Sequence, residues 1–216
     1  MMAFMLALAG PASAASLDVS VRQADGSPVA DAVVTLQGPA GASAVVLKAN
    51  MDQRGQRFAP HVLAVHTGTQ VSFPNSDNIR HQVYSFSDAK RFELRLYEGT
   101  PTNPLLFDKP GVVVLGCNIH DWMLGYIYVT DDAWFAVSNA QGQLRLEQLP
   151  PGDYRATVWH PQLAKMQPLD GGTLRVPAAG LSHSVVLALE PVSEALPPTP
   201  SAFGDAFDRA ASETAK

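Results

Sequence analysis

A thiol, an imidazole and a thioether stand within seven residues of one another at Cys117, His120 and Met123. These groups belong to the soft ligand set that suits copper, and a Cys-x-x-His-x-x-Met run lets one short loop present them all. A copper site of this kind still needs a second imidazole. The best-placed one is His81, thirty-six residues before the cysteine and just after the run Phe73-Pro74-Asn75-Ser76-Asp77. The chemistry expected of such a set is the binding of one copper ion and the transfer of single electrons.

Other uses of the same residues fit less well. Structural zinc would want more than the one cysteine present, and c-type haem attachment needs a second cysteine in a Cys-x-x-Cys-His run. Nucleophilic catalysis by Cys117 with His120 would need a third orienting group and an oxyanion-binding element. Neither stands out, so no enzymatic activity is expected. The plainer alternatives stay open: Cys117 as an inert buried thiol, and Met123 as filler of the core. His61, His66, His160 and His183 read as surface or structural histidines, because lone imidazoles titrate and hydrogen-bond without binding metal.

Copper changes its preferred geometry with oxidation state, so ligands for electron transfer must sit on a scaffold that does not move. Val112-Val113-Val114-Leu115 is an unbroken apolar run, read as a central strand that delivers Cys117 at its end. Tyr126-Ile127-Tyr128-Val129 carries the chain away, with Met123 just before that strand. His81 to Phe86 reads as a neighbouring strand, and from Phe92 to Tyr97 the residues Phe92, Leu94 and Leu96 alternate with Glu93 and Arg95. Phe58 to Val65 and Thr69 to Phe73 bracket the turn His66-Thr67-Gly68; Val45-Val46-Leu47 opens the series, and Pro101 to Pro110 reads as a loop. Short strands without helical periodicity predict a β-sandwich over residues 42–130.

His81 with Cys117-x-x-His120-x-x-Met123 resembles the type 1 (blue) copper signature of the cupredoxins, and the short loop is most similar to that of amicyanin. The lead-in Phe58-Ala59-Pro60 and Gly68-Thr69-x-Val71-x-Phe73-x-Asn75-x-Asp77-x-x-x-His81 resembles the plastocyanin-like pattern. The whole chain resembles exported proteins of the methylamine utilization type, although no residue demonstrates amine metabolism. The resemblance implies an all-β, Greek-key cupredoxin sandwich holding one type 1 copper ion. It implies His81, Cys117 and His120 as equatorial ligands and Met123 as the axial one, with Asn75 and the backbone after His81 supporting the ligand loop.

The flanks form a second β series. Leu17, Val19 and Val21 alternate with polar residues, and Asp31 to Leu36 reads as the returning strand. Beyond Asp131 come Trp134 to Val137, Leu144 to Glu147, Tyr154 to Trp159, Leu174 to Val176 and Val185 to Leu189. Asp25-Gly26-Ser27-Pro28-Val29 through Val34, and Gly142 with Leu149-Pro150-x-Gly152-x-Tyr154, resemble the two halves of a carboxypeptidase regulatory-like (transthyretin-like) sandwich. Those halves lie on either side of the copper unit. Residues 16–41 and 131–190 are therefore expected to form one discontinuous domain around residues 42–130, the alternative being that 16–41 adds strands to the copper unit. Pairing of Leu17–Val21 or Val33–Leu36 with strands after residue 131 distinguishes the two.

The ends and the overall composition narrow the setting. Residues 1–15 read as a secretory signal, with an apolar run from Ala3 to Ala9 and a small-x-small cleavage site at Ala12-Ser13-Ala14, though without a basic start. Export to the periplasm is expected, and no other stretch reaches the ~18 apolar residues of a membrane span. A lone thiol in an oxidising compartment has no disulfide partner, which makes a ligand role for Cys117 the more pointed. The net charge is −5 and no Lys/Arg cluster is present, so nucleic acid is not an expected partner. Residues 43–130 carry eight Lys/Arg against seven Asp/Glu, which favours apolar docking around the metal over steering by charge. Residues 191–216, Pro-rich and then Ala-rich, read as a disordered tail. The expected function is a periplasmic carrier of single electrons, exchanging with a dehydrogenase or c-type cytochrome that docks near His120. The alternatives are a periplasmic copper-delivery protein and a non-redox binding module. Few methionines lie outside the signal, which disfavours a Met-rich copper donor.

Overall fold

Period-two alternation and closely spaced turn residues yield a chain built of strands. The computed structural model describes residues 14–39, 47–101 and 103–191. Two strands come first, β1 (Ala15–Arg22) and β2 (Val33–Gln37). Ten follow: β3 (Lys48–Asn50), β4 (Asp52–Gln53), β5 (Phe58–Ala59), β6 (Val62–His66), β7 (Thr69–Ser72), β8 (His81–Ser87), β9 (Lys90–Tyr97), β10 (Leu105–Phe107), β11 (Gly111–Cys117) and β12 (His120–Thr130). Five close the chain: β13 (Trp134–Val137), β14 (Gln143–Leu149), β15 (Gly152–Trp159), β16 (Leu169–Val176) and β17 (Leu181–Val186). The one helical element among the described residues is a 3-10 turn at Ala164–Met166. The fold is all-β.

The first two strands pair across a long interval of sequence. β1 lies between β14 and β17, antiparallel to the former and parallel to the latter. β2 lies between β13 and β15 and runs antiparallel to both, with β16 outside β15. Leu17, Val19, Leu36, Trp134, Leu149, Tyr154 and Val158 form one shared core for these two sheets.

Residues 48–130 supply the other sheets. β6-β12-β11-β8-β9 is the largest, and β10-β7-β3 and the β4-β5 ribbon complete the set. Their core contains Met51, Phe58, Phe73, Phe107, Leu115, Cys117, Met123 and Ile127. A third, smaller cluster joins the two units: Val33 and Trp159 from one meet Val62 and Tyr128 from the other. The Trp159 ring lies 5.3 Å from Tyr128 and 5.9 Å from Tyr126, and His61 Nδ1 meets Asp31 Oδ2 at 2.9 Å across the same boundary.

Several elements differ from their sequence reading. Phe58 to Val65 is two strands, because Pro60 has no N–H for a ladder; β5 pairs with β4 while β6 pairs with β12. The stretch Pro101 to Pro110 contains β10, whose Phe107 is fully buried and pairs with Thr69. Met123 lies inside β12 instead of ahead of it. Ala15, read as the end of a signal, opens β1, is buried and pairs with Leu149. The rest of the predicted leader up to Ser13, Val45, Val46 and the tail from Val192 lie outside the described residues.

Candidate metal centre

The β11–β12 hairpin carries the Cys-x-x-His-x-x-Met run. Val113 and Leu115 point into the core, which is why the Val-rich stretch forms the sheet's middle and brings Cys117 to its end. Gly116 faces Leu124, yet Cys117 faces His120. The hairpin thus closes tightly over Asn118 and Ile119, and the intervening residues Asp121, Trp122 and Met123 are taken up as an irregularity in β12. Close packing permits this. A Cβ at Gly116 would stand 2.7 Å from the Tyr84 ring, and one at Gly125 would stand 2.7 Å from Cβ of Phe58.

β8 runs beside β11, paired at Tyr84 and Gly116, and begins with His81. This brings the upstream imidazole to the hairpin. His81 Nδ1 lies 3.9 Å from Cys117 Sγ, and His120 Nδ1 lies 3.7 Å from the same sulfur. One donor atom from each of the three residues falls within 4.8 Å of the others, the only such group of His, Cys, Asp and Glu side chains among the described residues. His81 is 0% exposed and Cys117 3%. Met123, 1% exposed, is buried in the same core cluster as Cys117.

These separations suit a metal held by three ligands in a plane. Bonds of about 2.0 Å to imidazole and about 2.3 Å to thiolate, opened to about 120°, place nitrogen and sulfur about 3.7 Å apart. The protonation pattern fits as well. His81 Nε2 lies 2.7 Å from Asp77 Oδ2, so the ring proton sits on Nε2 and leaves the Nδ1 lone pair facing the cysteine. Asp77 is itself held by the backbone N–H groups of Gly55 at 2.6 Å and Gln56 at 2.9 Å. Burial pushes the Asp77 carboxyl up, but the N–H of Gln56, the His81 ring and the N–H of Gly55 together outweigh it and hold the group below the usual carboxylate range. Burial, with His81 close by, lowers the pKa of His120 and favours its neutral form.

Asn75 closes the loop that leads to His81. Its Nδ2 donates to the carbonyls of Ile79 (2.8 Å) and Tyr97 (3.0 Å), and its Oδ1 accepts from the Asp77 N–H at 3.0 Å. Asp77 was not singled out as a partner of His81 by sequence reasoning, although its place four residues ahead of that histidine is a legible signal. Trp122 packs on His120 with ring centroids 5.2 Å apart, and its buried indole N–H has no acceptor among the described residues. The histidines read as structural stand away from the cluster: His61 meets Asp31, His66 Nδ1 meets the Thr67 carbonyl at 2.7 Å, and His160 meets the Ala30 carbonyl at 3.1 Å.

Comparison with solved structures returns copper proteins. A copper-containing nitrite reductase from Thermus scotoductus is 30% identical over 44% of this chain, with a TM-score of 0.37. The present chain spans only 25% of that enzyme's length. A purple cupredoxin from Nitrosopumilus maritimus is 21% identical, covering 38% of this chain and 99% of its own, with a TM-score of 0.34. A mutant of amicyanin in its oxidised state is 20% identical, covering 44% and 99%, with a TM-score of 0.35. No family model and no curated protein matches the chain.

Proposed function

We propose that this protein is a cupredoxin-type carrier that holds one type 1 copper ion and passes single electrons between redox partners in the periplasm. The observation that carries this reading is the placement of one cysteine sulfur and two imidazole Nδ1 atoms 3.7 and 3.9 Å from it, with the His81 tautomer set by Asp77. His81, Cys117, His120 and Met123 would hold the ion, and copper bound there would supply a one-electron couple tuned by its thiolate and thioether ligands. The chain's own residues do the rest. Asp77 keeps the Nδ1 lone pair of His81 aimed at the site, the hairpin holds Cys117 and His120 in register, and burial excludes water. A delivery protein would expose its ligands for hand-over, whereas His81, Cys117 and Met123 are all buried.

His120 is the ligand nearest solvent, and Ile119 and Leu124 beside it are 47% and 39% exposed. This apolar edge would receive a dehydrogenase or c-type cytochrome. We also read residues 42–130 as a copper unit inserted into a second β-sandwich, a reading supported by the pairing of β1 and β2 with strands beyond residue 131.

The copper-loaded protein should show the intense absorption of a copper–thiolate bond in the visible range, and Cys117→Ser should lose it. A colourless wild-type protein with copper bound would end the type 1 assignment. In the same loaded protein, Ile119→Glu should slow electron exchange with a c-type cytochrome while leaving the absorption intact. An unchanged rate would remove the docking role of this edge.

A further inference from the structure

The segment from Phe73 to Arg80 lies between β7 and β8 and carries the chain to His81 with little regular pairing. Within it, only Asn75 makes isolated bridges, to Gln53 and Gly99. The Phe73 carbonyl therefore needs a donor from outside a ladder, while the Pro74 carbonyl is already met by the Gln53 N–H of that bridge. Two side chains add to this. The Tyr97 phenol donates to the Phe73 carbonyl at 2.8 Å. Gln53 Nε2 donates to the Pro74 carbonyl at 3.1 Å, beside the Gln53 backbone N–H that reaches the same oxygen at 3.0 Å, and Nε2 also donates to the Tyr97 hydroxyl.

The direction of every bond here is forced. Carbonyls only accept, so the phenol proton points to Phe73 and both amide protons of Gln53 are committed. Gln53 is 0% exposed, and its Oε1 finds no donor among the described residues. An orphaned buried carbonyl is destabilising, so an apolar side chain at this position would relieve a penalty. What the glutamine supplies in return is a hold on the ligand loop.

Tyr97 is gripped at both ends. It pairs with His81 across β8 and β9, and its backbone carbonyl accepts from Asn75.

We propose that Gln53 and Tyr97 form a positioning clamp that fixes the Phe73–Ile79 segment and, through it, the imidazole of His81. The inference rests on the copper reading for its consequence and on the hydrogen bonds alone for its structure. Neither residue hydrogen-bonds to the three candidate donor atoms; both act through the loop.

The test compares Gln53→Met and Tyr97→Phe with Val129→Ala, a core change in the same unit that leaves the loop alone. In both clamp variants copper affinity should fall about 10- to 100-fold, the range seen when outer partners of metal ligands are removed. The copper electron-spin spectrum should shift as well, while Val129→Ala keeps both. Gln53→Met should do this without lowering the unfolding midpoint, since it removes the orphaned carbonyl. In the metal-free protein, the backbone amides of Asn75 and Asp77 should exchange with solvent faster in both clamp variants. Unaltered affinity, spectrum and amide exchange would overturn the proposal, as would matching changes in Val129→Ala. If wild type proves not to be a copper–thiolate protein, the amide exchange alone decides whether the clamp exists.

Discussion

Asp77 couples a turn to the His81 ring. One of its carboxylate oxygens accepts from His81 Nε2 and from the Gln56 N–H, while the other accepts from the Gly55 N–H. Asp77→Ala leaves that turn to solvent and frees the His81 ring to exchange tautomers and rotate. Copper affinity should drop about 10- to 100-fold, and in the metal-free protein the His81 ring signals should report a mixture of tautomers by NMR. A single fixed tautomer in the variant would mean that packing, not Asp77, orients the ring. Cys117, His120 and Met123 announce themselves because they share a loop, and His81 does so because it begins a strand after a polar run. Gln53 and Tyr97 do not. They meet across forty-four residues, and the pairing depends on which carbonyls the loop leaves unpaired, which only the closed chain determines.

The hairpin of β11 and β12 depends on glycine for a different reason from the turns. Gly125 lies in β12 where Phe58 presses on the backbone, and a methyl group there would meet Cβ, Cγ and Cδ2 of Phe58 at 2.7–2.8 Å. Those atoms belong to the root and body of a buried ring, so they cannot swing aside. Gly125→Ala should destabilise the protein by about 1–3 kcal/mol through overpacking, read as a lower denaturant midpoint. Gly116→Ala meets only the outer end of the half-exposed Tyr84 ring and should cost less. A larger loss at Gly116 than at Gly125 would invert this account. Alternation exposed most strands to sequence reasoning, β1 and β9 most clearly. β10 escaped because Leu105 to Phe107 is short and flanked by turn residues, so its partner β7 reveals it and local pattern does not. The irregularity that places Met123 inside β12 has no local signature either.

The two units share a boundary with its own titratable group. His160 donates from Nε2 to the Ala30 carbonyl and accepts from the Gln162 N–H at Nδ1, so both nitrogens are used by the neutral ring. Burial lowers its pKa, against the opposing pull of the Ala30 carbonyl and Asp31. In the unfolded chain the side chain takes up its proton near about pH 6.5. The unfolded state therefore binds more protons than the folded state just below that value, and stability should fall as the pH drops through it. The urea midpoint should decrease between about pH 7.5 and about pH 5.5, and His160→Gln should flatten that slope. An identical slope in the variant would assign the effect to other groups. The pairing of β1 with β17 has a mechanical consequence. The two strands run parallel, in register from Leu17 with Leu181 to Arg22 with Val186. A pull across Ala15 and Val186 loads their hydrogen bonds in shear, all at once, instead of unzipping them one by one. The β11–β12 hairpin lies outside that load path, so tension on the flanking chain reaches it only after the outer sheet has torn.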